Sequence, residues 1–178
     1  MLTRWKWNSS SSHVQTKLRM KITAQEEYGL RILIRIARCA DENGLSIPQL
    51  SEAEGLTAHY VAKLARQLRL GGFLKSTPGQ KGGYILSKPS SEININQVLK
   101  TLGGALFNKE FCAAHVGALN LCTNSVDCSA RSLWKIIQFA VDQVLDKMTL
   151  ADLCGREESV IKLHALLAAQ ENLAPKFF

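Results

Sequence analysis

The segment from residue 57 to residue 88 constrains the fold of this chain most strongly. Its first part carries Val61, Leu64, Ala65 and Leu68 at helical spacing, which predicts a helix that ends near residue 70 and packs one face into a core. The whole segment contains no acidic residue and six basic ones, namely Lys63, Arg66, Arg69, Lys75, Lys81 and Lys88. A solvated basic face is one explanation, but an acid-free patch on folded structure favours a polyanion partner, because each neutralised phosphate releases condensed counterions.

The flanking elements complete a winged helix-turn-helix. Ser46 caps a short helix that ends by Gly55, and Thr57 caps the basic helix that follows. Residues 73–76 and 84–86 are predicted to form a hairpin around a glycine-rich tip. A hairpin directly after a basic helix is typical of the wing in this class of DNA-binding domain.

The sequence predicts DNA-contacting residues on the basic helix and in the wing. One helix face and one loop are involved, and glycines let a loop backbone approach a phosphate closely. His59, Tyr60, Lys63 and Arg66 are expected to enter the major groove, with Thr57 on a phosphate. The expected wing contacts are Gln80, Lys81, Gly82 and Gly83.

A first helix is predicted from Thr23 to about Ala40. Glu26 lies three residues after Thr23 and completes a capping box. The predicted buried positions are Leu30, Leu33, Ile34 and Ala37, with Arg31, Arg35 and Arg38 on the opposite face.

The second half of the chain contains two further predicted helices and a possible third. One runs from Ile93 to Leu102 and is capped by Asn94 or Asn96. Another covers residues 133–150 with an apolar stripe too broad for a small head to cover. Packing against a second subunit explains that stripe, and an intramolecular core helix is the alternative. Residues 156–173 are a candidate for a last short amphipathic helix.

Composition bounds the class of protein. The chain has 178 residues, of which 46% are hydrophobic and 21% charged, and a net charge of +7. These values are typical of a globular protein, and no apolar run approaches the roughly 20 residues that span a bilayer. Five cysteines and no secretory signal favour a reducing cytoplasm. Residues 1–19 are basic and serine-rich and are expected to be a disordered leader, with Met20 as a possible true start.

Three cysteines occur close together in the sequence, between the predicted helices at 93–102 and 133–150. Cys112, Cys122 and Cys128 have the spacing C-x9-C-x5-C. Thiolates gathered in one loop bind soft or borderline metals and hold iron–sulfur clusters. Scattered buried thiols or a disulfide are the alternatives, and the C-x2-C pair usual for zinc is absent. Cys39 and Cys154 are interpreted as small buried hydrophobic residues.

Several motifs occur in the order found in one regulator family. They are the opening Met20-Lys-Ile-Thr-Ala-Gln-Glu-Glu-Tyr-Gly-Leu-Arg31, the wing Gly82-Gly83-Tyr84, the three-cysteine loop, Ser132-Leu133-Trp134 and Met148-Thr-Leu-Ala-Asp-Leu153. Residues 20–153 thereby resemble the IscR/NsrR-type winged-helix iron–sulfur transcription regulators, the Rrf2 family. The resemblance implies a homodimer with winged-helix heads, a long dimerisation helix and a cluster on the cysteine loop.

Two departures from the family pattern affect the implied site. Arg131 stands where IscR-like members carry a histidine ligand. The resemblance to NsrR-like members instead implies Glu27 of the partner subunit as the fourth ligand, with His115 as the runner-up. In the wing, Pro78-Gly79 replaces the Arg-Gly of relatives, and Lys81 is expected to substitute for that arginine.

The resulting prediction is a mainly α fold with a small β-wing. Its parts are a leader (1–19), a winged helix-turn-helix domain (20–102), a cysteine loop (103–132), a dimerisation helix (133–153) and a tail (154–178). The predicted function is a homodimeric regulator that binds double-stranded DNA and senses through a [2Fe-2S] or [4Fe-4S] cluster. Iron–sulfur assembly genes are the expected targets, and a nitric-oxide- or redox-responsive repressor is the alternative. A zinc-stabilised protein and a cluster-free thiol switch also remain open, whereas no pattern indicates an enzyme or a membrane partner.

Overall fold

A computed structural model of the chain describes residues 22–78, 82–105, 107, 112, 122, 124, 126–158 and 160–161. Two antiparallel strands form a small sheet, and the other named elements are helical. The elements in chain order are α1 (Ala24–Ala37), α2 (Ile47–Glu54), α3 (Ala58–Leu70), β1 (Leu74–Ser76), β2 (Tyr84–Leu86), a 3-10 turn (Ser90–Glu92), α4 (Ile95–Gly103), α5 (Ser129–Leu145) and α6 (Leu150–Leu153). The mainly α fold with a small β-wing is therefore confirmed.

Local capping sets the start of α1, the end of α2 and the start of α3 as predicted. The amide of Glu26 donates to Thr23 Oγ1 at 3.4 Å, and Glu26 Oε2 accepts from the amide of Thr23 at 2.8 Å, which forms the expected capping box. Gly55 ends α2 with φ of 65°, a left-handed conformation that glycine adopts without strain. Thr57 Oγ1 accepts from the amide of Tyr60 at 3.3 Å and starts α3.

The predicted extent and buried face of α1 require correction. The helix ends at Ala37 rather than near Ala40, and the amide of Cys39 donates to the carbonyl of Ile36 in a closing turn. Its fully buried residues are Gly29, Ile32, Leu33 and Ile36, whereas Leu30, Ile34 and Ala37 are only partly buried. The rotation follows from close packing on α4: a Cβ at Gly29 would lie 2.6 Å from the methyl carbons of Leu102.

The apolar face of α3 forms the centre of the core, as predicted. Val61, Leu64, Ala65 and Leu68 are completely buried. The hairpin extends from this core, and β1 and β2 pair with Lys75 opposite Ile85. Leu45, in the turn before α2, adds a bridge to Tyr84, with an N···O distance of 2.9 Å from the amide of Tyr84 to the carbonyl of Leu45. The base of the wing is thus tied to the helix-turn-helix.

Partly buried polar contacts join α4 to α5. Asn94 is the N-cap of α4, and the helix begins at Ile95, two residues later than predicted. Asn96 is buried and plays a different role: its Nδ2 donates to Oδ1 of Asp142 at 2.9 Å and to Oδ1 of Asp146 at 2.7 Å. Lys100 Nζ lies 2.7 Å from Asp142 Oδ1. These contacts fasten the C-terminal half of α5 to the head.

The long helix differs from its prediction at both ends. It starts at Ser129, with Cys128 as N-cap, and ends at Leu145 rather than continuing to residue 150. After a turn, α6 starts with a capping box between Thr149 and Asp152. No residue of α5 is fully buried, and the exposed fractions of Leu133, Ile136 and Phe139 are 53%, 64% and 63%. The N-terminal part of the predicted apolar stripe is therefore open to solvent, whereas Leu145 and Met148 pack against the core. The role of the stripe in dimerisation stays a prediction.

Two expectations fall outside the described residues. They are the leader at 1–19 and most of the amphipathic helix at 156–173, of which residues 157–158 and 160–161 are described and helical. The described helices include none that is long and apolar enough to cross a membrane.

We expect Asn96→Ala to lower the free energy of unfolding by about 1–3 kcal/mol, because two carboxylates lose a buried donor. Urea denaturation of the full chain measures this change. Gln97→Ala is the matched control, since Gln97 is exposed on the same helix and its truncation should change stability by less than about 0.5 kcal/mol. Equal stability of the two variants would contradict the role given to Asn96.

The stability contributed by Asp142 should disappear in acid. Burial alone would raise the pKa of Asp142, but hydrogen bonds from Lys100, Asn96 and Gln138 and the charge of Lys100 lower the pKa below its usual value of 3.8. A carboxyl whose pKa is lowered by folding stabilises the protein above its unfolded pKa, and this contribution is lost as pH falls through the folded value. Asp142→Asn should therefore be less stable than the unaltered protein at pH 7, and the difference should shrink below about pH 4. Urea denaturation at a series of pH values measures it, and a gap independent of pH would refute the assignment.

Candidate nucleic-acid interface and cysteine site

The basic face of α3 is open to solvent along its length. His59, Lys63 and Arg66 are all exposed, while the apolar residues of the same helix are buried. The structure thus confirms the two-faced helix that the sequence predicted. Arg69 and Lys75 are also exposed and extend the acid-free surface toward the wing. They were counted in the charge of the segment but not nominated as contacts.

Thr57 and Tyr60 are engaged within the head. The Thr57 hydroxyl oxygen accepts the amide of Tyr60, as noted for the cap, which leaves its O–H and its exposed position available to a phosphate. Tyr60 is half-buried, with its ring packed edge-on against Tyr28 at a centroid distance of 6.2 Å. Its expected major-groove role is therefore limited to the part of the ring that stays exposed.

The base of the wing is held by a short polar network around Thr77. Thr77 Oγ1 donates to the carbonyl of Asn43 at 2.9 Å and accepts from the amide of Gly83 at 2.8 Å. Gly83 is buried, and a Cβ there would lie 2.4 Å from the Asn43 carbonyl oxygen. This glycine is required for packing of the wing, and its contact with DNA stays a prediction. Gly82 is exposed, and Gln80 and Lys81 lie outside the described residues.

Each cysteine of the predicted cluster site is a free thiol. Cys122 is exposed, while Cys112 and Cys128 are half-buried. The position of Cys128 is fixed by α5, because Cys128 is the N-cap of that helix and its Sγ accepts from the amide of Arg131 at 3.3 Å. Backbone donors to sulfur are typical of iron-bound thiolates, and three free thiols are the donor chemistry that such a cluster requires. The donor set therefore fits an iron–sulfur cluster.

Among the described residues, neither the three thiols nor a fourth ligand is gathered into one metal site. In the parts of the chain that the structure describes, no three His, Cys, Asp or Glu side chains lie together as a metal site. Glu27 is exposed in the first turn of α1, a position open to a second subunit. Arg131 is half-buried in the first turn of α5. His115 lies outside the described residues.

The two remaining cysteines are less buried than the sequence suggested. Cys39 and Cys154 are both half-buried. Burial raises the pKa of the Cys154 thiol, an effect that the nearby charge of Arg38 partly opposes. Arg38 also donates from Nε to the carbonyl of Cys154 at 3.1 Å, which ties the end of α6 to α1. Neither cysteine belongs to the cysteine loop.

Comparison with known proteins identifies relatives of the whole described region. A family model named Rrf2 and described as an iron-dependent transcriptional regulator matches residues 22–156. The protein rrf2 of Nitratidesulfovibrio vulgaris is 32% identical over 152 residues, which cover 82% of this chain and 99% of that protein.

Two solved structures are similar in both fold and sequence. CymR, the global cysteine regulator of B. subtilis, matches with a TM-score of 0.59 and 29% identity over 76% of this chain and 97% of that one. IscR of T. potens matches with a TM-score of 0.58 and 26% identity over 75% of this chain and 85% of that one. These similarities place α1–α6 and the wing in a known winged-helix arrangement.

Proposed function

Because the chain belongs to the Rrf2 family of transcriptional regulators, we propose that it is a homodimer whose affinity for operator DNA depends on a bound iron–sulfur cluster. The observation that carries the proposal is the joint presence of an exposed basic recognition face on α3 and three free thiols, one of which caps α5. The relatives are named as regulators, and the chain is not an enzyme. We further propose that its targets are genes of iron–sulfur cluster assembly.

DNA recognition would use α3 and the wing in distinct ways. Lys63 and Arg66 project from the exposed face of α3, where they can reach base edges or phosphates in the major groove. His59 lies one turn before Lys63 on that face. The wing would add backbone contacts through Gly82, Gln80 and Lys81. Two heads related by a two-fold axis would meet two half-sites, so we expect a near-palindromic operator.

Cluster binding would use Cys112, Cys122 and Cys128 of one subunit with Glu27 of the other. A bound cluster supplies one-electron redox chemistry and reactivity toward oxygen and nitric oxide. Cys128 starts α5, so a ligand held there acts directly on the N-terminal end of that helix. A carboxylate from the second subunit would couple cluster loss to the arrangement of the dimer. A change in DNA affinity then requires only that the two states bind DNA differently.

The dimer would form through the apolar stripe of α5. Leu133, Ile136 and Phe139 follow one another at intervals of three residues along one side of α5, and each is more than half exposed. Large apolar side chains grouped on one helix face are typical of a subunit interface. Burying this face against a second copy would also bring a partner subunit within reach of the cysteine loop.

A thiol-based switch is the second candidate. The similarity to CymR, which is named as a cysteine regulator, favours a response to thiol chemistry, and the cysteines of this chain are free. In that case oxidation would join two of the three loop cysteines in a disulfide without iron. A nitric-oxide- or redox-responsive repressor that keeps the cluster is a third outcome, and a zinc-stabilised protein would be colourless.

Anaerobic purification of the full chain separates these candidates. The proposal expects visible absorbance, iron and acid-labile sulfide in proportion to protein, and a different mobility-shift affinity for promoter DNA after the cluster is removed. Colourless, iron-free protein after chemical reconstitution would refute the cluster, and zinc analysis or thiol counting before and after oxidation would then assign the alternative. Loss of DNA binding in every state would refute the regulator itself.

A further inference from the structure

A cleft opens between α1 and α2, on a part of the head that the proposed function leaves unused. Its volume is about 540 Å3, which lies within the range of small-molecule sites, roughly 300–1,000 Å3. Its lining residues come from α1, α2 and the turn between them, and none comes from α3 or the strands of the wing. It is separate from the basic face of α3. We call it the arginine cleft, lined by Arg31, Ile34, Arg35, Arg38, Cys39, Leu45, Gln49, Ala53 and Glu54.

The charge of the arginine cleft is strongly positive. Three arginines and a single carboxylate, that of Glu54, line it. The side chain of Glu54 is only 2% exposed, whereas those of Arg31 and Arg35 are 46% and 44% exposed. The carboxylate therefore lies at the bottom, the guanidinium groups face solvent, and two positive charges are left over.

The arginines keep hydrogen-bond donors for a ligand. Arg31 Nε donates to Glu54 Oε2 at 2.8 Å, and Arg35 Nε pairs with the other oxygen of that carboxylate. Arg38 donates hydrogen bonds from Nε and Nη2 to the backbone carbonyls of residues 153–155. A guanidinium has five N–H donors in a fixed fork. Within the described residues these bonds occupy Nε and Nη2, so Nη1 of each arginine can donate to an anion.

The remaining lining defines what else the ligand must carry. Ile34, Leu45 and Ala53 contribute hydrocarbon surface, and Cys39 adds a half-buried thiol. Sites for small molecules typically combine such apolar walls with a few fixed polar groups that orient the ligand. A bare inorganic anion would leave these walls exposed to water. An anion attached to a short hydrocarbon body would cover them.

We infer that the arginine cleft binds a small organic anion, whose carboxylate or phosphate is held by Arg35 and Arg38 and whose hydrocarbon body lies on Ile34 and Leu45. This binding site is independent of the cluster and of DNA. A ligand in it contacts both α1 and α2, and α2 packs directly on the recognition helix α3. Ligand binding therefore stabilises the packing of α1 and α2, which positions the DNA-binding face of α3.

Calorimetric titration of the full chain tests this site with hexanoate, acetate and inorganic phosphate as probes. We expect one hexanoate per chain, bound at least tenfold more tightly than acetate, because each buried methylene adds about a fourfold gain in affinity when fully covered. Inorganic phosphate should bind more weakly than hexanoate. No heat from hexanoate at concentrations up to about 20 mM, or equal affinity for phosphate, would overturn the inference.

Three variants decide where the probe binds. Ala53→Glu places a carboxylate at the exposed rim and should abolish hexanoate binding, whereas Gln97→Glu adds the same charge on α4 and should not. Arg38→Gln should weaken binding about tenfold and serves as the second test if Ala53→Glu fails to fold by circular dichroism. Lys63→Ala with Arg66→Ala should leave binding unchanged. Binding that survives in both cleft variants, or that is lost in the α3 variant, would overturn the inference.

Discussion

Cys122→Ala is expected to remove the visible absorbance of the anaerobically prepared protein completely while leaving a folded chain. The proposed cluster needs all three loop thiolates, and cysteine sulfur is the ligand that holds iron in such clusters. Cys122 is exposed and takes no part in the described core, so its truncation should change the free energy of unfolding by less than about 0.5 kcal/mol. Absorbance, iron content and urea denaturation measure the two effects separately.

The matched control is Cys39→Ala, which removes a thiol from outside the cysteine loop. This variant should keep the chromophore at full intensity. A colourless Cys39→Ala would show that the cysteine count alone governs iron content. An unfolded Cys122→Ala variant would show that the cluster is needed for folding and does not act only as a sensor.

The double variant Lys63→Ala with Arg66→Ala should weaken operator binding about a hundredfold or more. Each base or phosphate contact by a basic side chain contributes about 1–3 kcal/mol to such an interface, and a dimer carries every contact twice. The slope of log affinity against log salt should also become shallower, because fewer counterions are released. Fluorescence anisotropy with an operator duplex at several salt concentrations measures both quantities.

Lys147→Ala is the control for charge, because Lys147 is exposed in the turn after α5, far in sequence from α3. It should change affinity by less than threefold. The double variant should retain the full chromophore, since neither residue belongs to the cysteine loop. An equal loss of binding in the two proteins would mean that net charge, and not the α3 face, determines DNA affinity.

Much of the DNA-binding head could be predicted from the residues alone. The apolar residues of α3 and its exposed basic residues Lys63 and Arg66 lie on the faces that their spacing indicated. The capping box at Thr23 and the helix cap at Ser46 also occur where predicted. Each of these features depends on residues within about two helical turns of one another, and such interactions have the same geometry in any fold.

The less accurate parts involve partners distant in sequence. Arg31 and Arg35 lie on the exposed face that their spacing indicated, but their pairing with the buried carboxylate of Glu54 does not follow from that spacing. Asn96 was a candidate helix cap and instead binds Asp142 and Asp146 on α5. A buried polar group needs a specific partner, and the identity of that partner depends on which helices meet.

The sequence by itself determined where α1, α2 and α3 begin, which side of the recognition helix is apolar and which is cationic, because periodicity and capping are local. Only the tertiary structure decided that Leu102 packs against Gly29, that Gly83 packs against Asn43, and that Arg31 and Arg35 pair with the buried carboxylate of Glu54 in a cleft. These features arise where separate elements come into contact, so the distances and buried charges that define them have no counterpart in the order of residues along the chain.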